Sequence, residues 1–119
     1  MLSVESLGVI EAGNEKGGLA ISNMSDQASL GPDTVITGPV WDMWPTIKHV
    51  VTLVKAGVPT AQDFGGFSYM GKGGSYLAPY HNWDSKLPAS VKGMVEKRKA
   101  EMLDGTFRAD IDESAPKSD

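Results

Sequence analysis

The stretch "EKGGLAISNMSDQASLGPDTVITGPVW", residues 15–41, decides the fold class. Within it "LAIS", Leu19–Ser22, is short, apolar and preceded by glycines, the pattern of a buried strand. "NMSDQASLGPD", Asn23–Asp33, is polar and turn-forming and reads as a loop at the carboxyl end of that strand. "TVITGPVW", Thr34–Trp41, is rich in β-branched residues and predicts a second strand, with Gly38 and Pro39 marking a bend or an edge. Upstream, Leu2, Leu7, Val9 and Ile10 alternate with Glu5, Glu11, Asn14, Glu15 and Lys16 as in an amphipathic helix. Its end falls at "KGG", where Gly17 or Gly18 can take the left-handed C-terminal conformation. A helix running directly into such a strand is half of an α/β unit, so an α/β fold is expected.

Downstream, Asp42 caps a helix over "MWPTIKHVVTLVKAG", with Pro45 in its first turn and Gly57 at its end. Trp44, Ile47, Val50, Val51 and Val54 share one apolar face there, predicted to cover a core. From Val58 to Tyr80 aromatics and glycines take over, and "DFGGFSYM" and "GSYLAPY" predict a hairpin about "GKGG". A last helix is expected from Pro88 to Leu103, with Val91, Met94, Val95 and Met102 inward and Gly105 as its stop. The predicted order is helix-strand-strand-helix-hairpin-helix over residues 1–109, then a flexible tail, 110–119.

At 119 residues the chain has room for one small domain. Its 40% apolar and 22% charged content is globular rather than disordered or coiled-coil. A net charge of −4 with no long Lys/Arg block argues against nucleic acid as a partner. The "KRK" at Lys97–Lys99 runs at once into Glu101 and reads as a solvated helix face. Without cysteine, a zinc site would need the two histidines and carboxylates. The start has no basic segment leading into an apolar run, so no secretory leader is expected, and no stretch approaches 18 apolar residues.

"GFSYMGKGGS", Gly66–Ser75, comes within one residue of a phosphate loop, having Gly73 where a Ser or Thr should hold magnesium. The residues after Lys72, "GGSYLAPYHNW", cannot supply the helix N-terminus that a phosphate loop requires. The stretch is therefore expected to be a turn with Lys72 at a solvent-facing tip. His49 and His81 have no partner at metal-ligand spacing and are expected to be structural or surface residues. No catalytic constellation is found, so no enzyme and no cofactor are expected.

Two residues remain as candidates. Asp26, in "MSDQ", lies just past a strand's carboxyl end, where open α/β sheets bind ligands. Its carboxylate can accept two hydrogen bonds from hydroxyls or an amine. By position alone it is also a turn or cap residue, which is the commoner use. Trp41, at a strand end, can stack on a planar ligand or fill a core, whereas Trp44 belongs to the helix face and is expected in the core.

Taken in order, "GLAISNMSDQASLGPDTVITGPVWDMWPTIKHVVTLVKAG", "GGFSYMGKGGSYLAPY" and "LPASVKGMVEKRKAEMLDGTF" resemble the C-terminal part of the basic membrane lipoprotein family. These are the purine- and nucleoside-type solute-binding proteins of ABC transporters. The resemblance implies a three-layer, type I periplasmic-binding-protein-like α/β fold, of which this chain supplies the last third. It implies two lobes closing on a purine or nucleoside-like ligand, and an ABC permease as partner.

Asp26 then matches the acid that holds the ligand's sugar or base, and Ser25 and Asn23, in the same loop, line the cleft. Many relatives carry a Lys where this chain has Trp41; the Trp resembles one branch of the family and points toward a flat base rather than ribose. Gly38 stands where Ser is usual. Full-length relatives are periplasmic or lipid-anchored at the cell surface, while this chain as it stands would be cytoplasmic. Strands and apolar faces lacking their neighbours are expected to favour self-association. The alternative is a regulatory or interaction domain of the same fold that has lost transport.

Overall fold

The computed structural model describes residues 4–110 and contains three helices and two small sheets. The chain divides into two compact units, Met1–Leu87 and Pro88–Asp119. Apart from Asp110, the tail expected over 110–119 lies outside the described residues, as does the expected start of the first helix at Leu2.

In the first unit, helix α1 spans Val4–Lys16 and stops where its glycines predict. Gly17 adopts φ +66°, and Gly18 N–H donates to the Gly13 carbonyl at 2.9 Å, which satisfies a helix-end acceptor. The chain turns straight into strand β1 (Ala20–Ile21), which pairs in parallel with β2 (Val35–Thr37). Ala20 faces Val35 and Ile21 faces Thr37, with a one-residue irregularity between them. A parallel pair needs a long crossover, and residues 22–34 supply it with a single 3-10 turn, Ala28–Leu30, in place of a helix. Asn14 ties α1 to this unit by accepting from the Thr34 hydroxyl at 2.5 Å. The apolar core gathers here, around Ile10, Ala20, Ala28 and Val35.

"TVITGPVW" is two strands, where the sequence reading expects one bent strand. After β2 the chain kinks at Gly38 and continues as β3 (Pro39–Trp41), which pairs antiparallel with β4 (Ser75–Leu77) in a second sheet. Val40 faces Tyr76 and Trp41 faces Ser75. Thr37 Oγ1 donates to the Ala78 carbonyl at 2.7 Å and Ala78 N–H to the Gly38 carbonyl at 2.9 Å, so the kink itself is hydrogen-bonded.

Helix α2 (Trp44–Lys55) starts one residue later than expected, with Met43 rather than Asp42 at the N-cap; Asp42 Oδ1 still accepts the Trp44 N–H at 2.8 Å, and Pro45 sits in the first turn. Its apolar face does not cover a core. Trp44, Ile47, Val51 and Val54 are all exposed, Trp44 at 64%, and no α2 side chain is fully buried. Two short sheets are too small to cover this helix. α2 meets the following segment through His49, whose ring stacks on Phe67 at 4.6 Å and meets Phe64 edge-on at 5.9 Å.

That contact accounts for a second difference. The expected hairpin about "GKGG" does not form, because the chain around Phe64 and Phe67 curls into two 3-10 turns, Gly65–Ser68 and Met70–Lys72. Gly73 closes the second at φ +79°, and only the later strand, β4, is extended, with β3 as its partner. Lys72 is exposed at this turn.

In the second unit, helix α3 (Ala89–Asp104) ends at Gly105 with φ +80°, as expected. Met94 and Met102, expected inward, are exposed, and α3 fully buries none of its side chains. Its C-terminal end and polar face are held locally. Arg98 pairs with Glu101 at 3.2 Å and lies over the Phe107 ring, and Thr106 bonds Asp104 at 2.6 Å.

Candidate functional site

The loop after β1 is built around Asn23. Ser25 N–H donates to the Asn23 carbonyl at 2.8 Å, forcing Met24 into the left-handed region at φ +67°, and Gln27 Nε2 donates to the same carbonyl at 3.3 Å. The Ser22 hydroxyl lies within reach of the Ser25 and Thr37 carbonyls, at 3.3 and 3.4 Å. Gln27 is buried and Asp26, next to it, is left at the surface. A tight turn anchored on both sides therefore fixes where the Asp26 carboxylate points.

Asp26 fills the turn role expected of it and makes one long-range contact besides. Oδ1 accepts the Ala28 N–H at 3.1 Å, the ordinary turn role at the start of the 3-10 segment. Oδ2 meets His81 Nε2 at 2.6 Å across 55 residues of chain. The His81 hydrogen bond is the main reason that the Asp26 carboxyl is held below its ordinary value; partial burial opposes the shift and the Ala28 N–H adds to it. An ionised carboxylate has about four acceptor positions. Two are used, by Ala28 N–H and His81 Nε2.

Beside this pair opens a cavity of about 360 Å³ lined by Asp26, Ala28, Ser29, Pro32, His81 and Asn82. It lies past the carboxyl end of β1, the position at which α/β sheets place ligands. Its size falls within the range of small-molecule sites.

The other expected site residues are elsewhere. Trp41 is 60% exposed and lines a separate cavity of about 230 Å³ with Met43, Ser68, Gly74 and Ser75. Its backbone is joined to the Asp26 loop, since Trp41 N–H donates to the Met24 carbonyl at 3.0 Å. Asn23 lines a third cavity, of about 240 Å³, beside Ile10 and Gln27. Ser25 serves the turn. Thus the loop brings Asp26, Ser25 and Asn23 together in the chain, but Asp26, Asn23 and Trp41 face three different spaces. The chain matches no family model, and no curated protein shows a significant match to it.

His81 is the residue beside Asp26 that sequence reasoning did not connect with it. It sits at φ +46°, a region that few non-glycine residues occupy, although His does so more readily than most. Nothing in "PYHNWD" identifies a partner so far back in the chain. Among the described residues no three His, Cys, Asp or Glu side chains cluster where they could hold a metal ion, and no helix is long and apolar enough to cross a membrane.

Proposed function

We propose that the chain is the ligand-holding part of an ABC-transporter solute-binding protein that takes a purine or nucleoside-like small molecule. One observation carries the reading. A half-exposed carboxylate, fixed by a backbone N–H and an imidazole, stands with unused acceptor positions on the wall of an open cavity past a parallel strand. Hydroxyls of a ribose or an exocyclic amine are the groups such a carboxylate holds.

The ordered sequence segments that resemble the basic membrane lipoprotein family support the same reading. So does the exposure of Trp41 and the α2 face, which in a two-lobed protein would meet the ligand or neighbouring segments. In this reading Asp26 is the acceptor and Ser25 and Asn23 shape its loop, while Trp41, which lines a separate cavity, stands outside the Asp26 wall. A second lobe closing over the same wall adds contacts to a site that this chain already forms, and the closed form docks on a permease. Calorimetric titration of adenine, adenosine and guanosine into the chain tests it. Saturable binding of at least one is expected, and no heat of binding from any of them would overturn it.

A further inference from the structure

The carboxylate of Asp26 dictates the chemistry of its partner. Held below its ordinary value, it is an acceptor only, so the 2.6 Å contact requires that His81 Nε2 carry a proton and donate it. In the neutral ring the lone pair is then on Nδ1. Among the described residues Nδ1 has no hydrogen-bond partner, and the ring lines the same cavity as Asp26. With the ring neutral, the wall of that cavity carries two acceptors side by side.

Its charge points the same way. Among the described residues neither Lys nor Arg lines the cavity, and the backbone N–H at the start of the adjacent 3-10 turn is already taken by Asp26. A phosphate there would meet a carboxylate and find no Lys or Arg to offset it.

We infer that His81 is a ligand-contacting residue, its Nδ1 accepting a hydrogen bond beside Asp26, so that the site takes an uncharged ligand with at least two adjacent donors and rejects its phosphorylated form. A vicinal diol or a hydroxyl next to an amine meets that requirement. This rests on the reading of the cavity as a ligand site, and it adds a residue and a selectivity to it.

Two measurements on the 119-residue chain test it. The first is ¹⁵N NMR of the imidazole rings at neutral pH, before and after adenosine is added. A protonated Nε2 and bare Nδ1 at His81, with the Nδ1 resonance moving on titration, is the expected result. A protonated Nδ1, whether Nε2 is bare or the ring carries both protons, overturns the inference whether or not any ligand binds.

The second is calorimetry with adenosine and its 5′-monophosphate on the wild-type chain, Asp26→Asn, His81→Phe and His81→Gln. His81→Phe should weaken adenosine by about fivefold to tenfold, the scale of one hydrogen bond. His81→Gln, whose amide offers both a donor and an acceptor, should recover most of the loss. The monophosphate should bind at least about tenfold more weakly than adenosine. Binding that depends on Asp26 but not on His81, or equal affinity for the monophosphate, overturns the inference and leaves the ligand site standing. Absence of binding in the wild-type chain removes both.

Discussion

Gly38 lies against Ser22 so closely that a methyl group on its α-carbon would fall on the Ser22 hydroxyl and carbonyl oxygens and within 2.7 Å of the carbonyl carbon. This contact lets one continuous segment leave the parallel pair as β2 and enter the antiparallel pair as β3. Gly38→Ala should therefore destabilise the chain by about 1–3 kcal/mol, as overpacking does elsewhere. Because backbone atoms of Ser22 are in the way, Ser22→Gly should not rescue it. Urea denaturation of the single and double variants checks both; an unchanged midpoint in Gly38→Ala contradicts the close approach.

Glycines of "GKGGS" divide in the same way. A methyl group at Gly74 would strike the Phe67 carbonyl and come within 2.6 Å of Ser68 Cα, whereas one at Gly71 meets nothing within 4 Å. Gly74→Ala should cost about 1–3 kcal/mol. Gly71→Ala should be neutral or stabilise by about 0.4–1 kcal/mol, through the unfolded chain. If the stretch were a phosphate loop, its first glycines would be the sensitive ones, so equal losses at both positions would count against the turn described here.

Signals in the sequence are legible where the physics is local. Gly17 and Gly105 stop their helices in the left-handed conformation, and Asp42 and Pro45 start α2, because each needs only its own neighbours. Pairing is a different matter. Aromatics among glycines in "DFGGFSYM" suggest a strand, but Phe64 and Phe67 pack on His49 instead, and β4 finds its partner in β3. The break of "TVITGPVW" into two strands depends on Ser22, and the Asp26–His81 contact joins positions 55 apart. Asp26 itself is legible because a polar loop past a strand end already implies a position. His81 is not, since nothing near it in the chain implies Asp26.

The exposed face of α2 makes a prediction about behaviour in solution. Val54 is 62% exposed, so Val54→Lys should change stability by no more than about 0.5 kcal/mol. It should also lower concentration-dependent association in sedimentation experiments, because it interrupts a contiguous apolar surface. A stability loss above about 1.5 kcal/mol would mean that Val54 is buried in the fold after all.

Acid should act on the site through Asp26. Its folded-state carboxyl lies below the ordinary 3.8, chiefly because His81 hydrogen-bonds the charged form. A depressed folded value makes the contribution complete above pH 3.8 and lost as pH falls below it through that value. A ¹³C carboxyl titration of the wild-type chain should show Asp26 protonating below 3.8, with His81→Phe moving it back upward. An unmoved carboxyl in His81→Phe would contradict the contact.

Binding at Asp26 is the central claim, and adenosine titrated by calorimetry into the wild-type chain and its Asp26→Ala form tests it most directly. Removing a charged acceptor should cost about 1.5–3 kcal/mol of binding, or roughly tenfold to a hundredfold in affinity. Equal affinity in the two forms would take Asp26 out of the site and contradict the account.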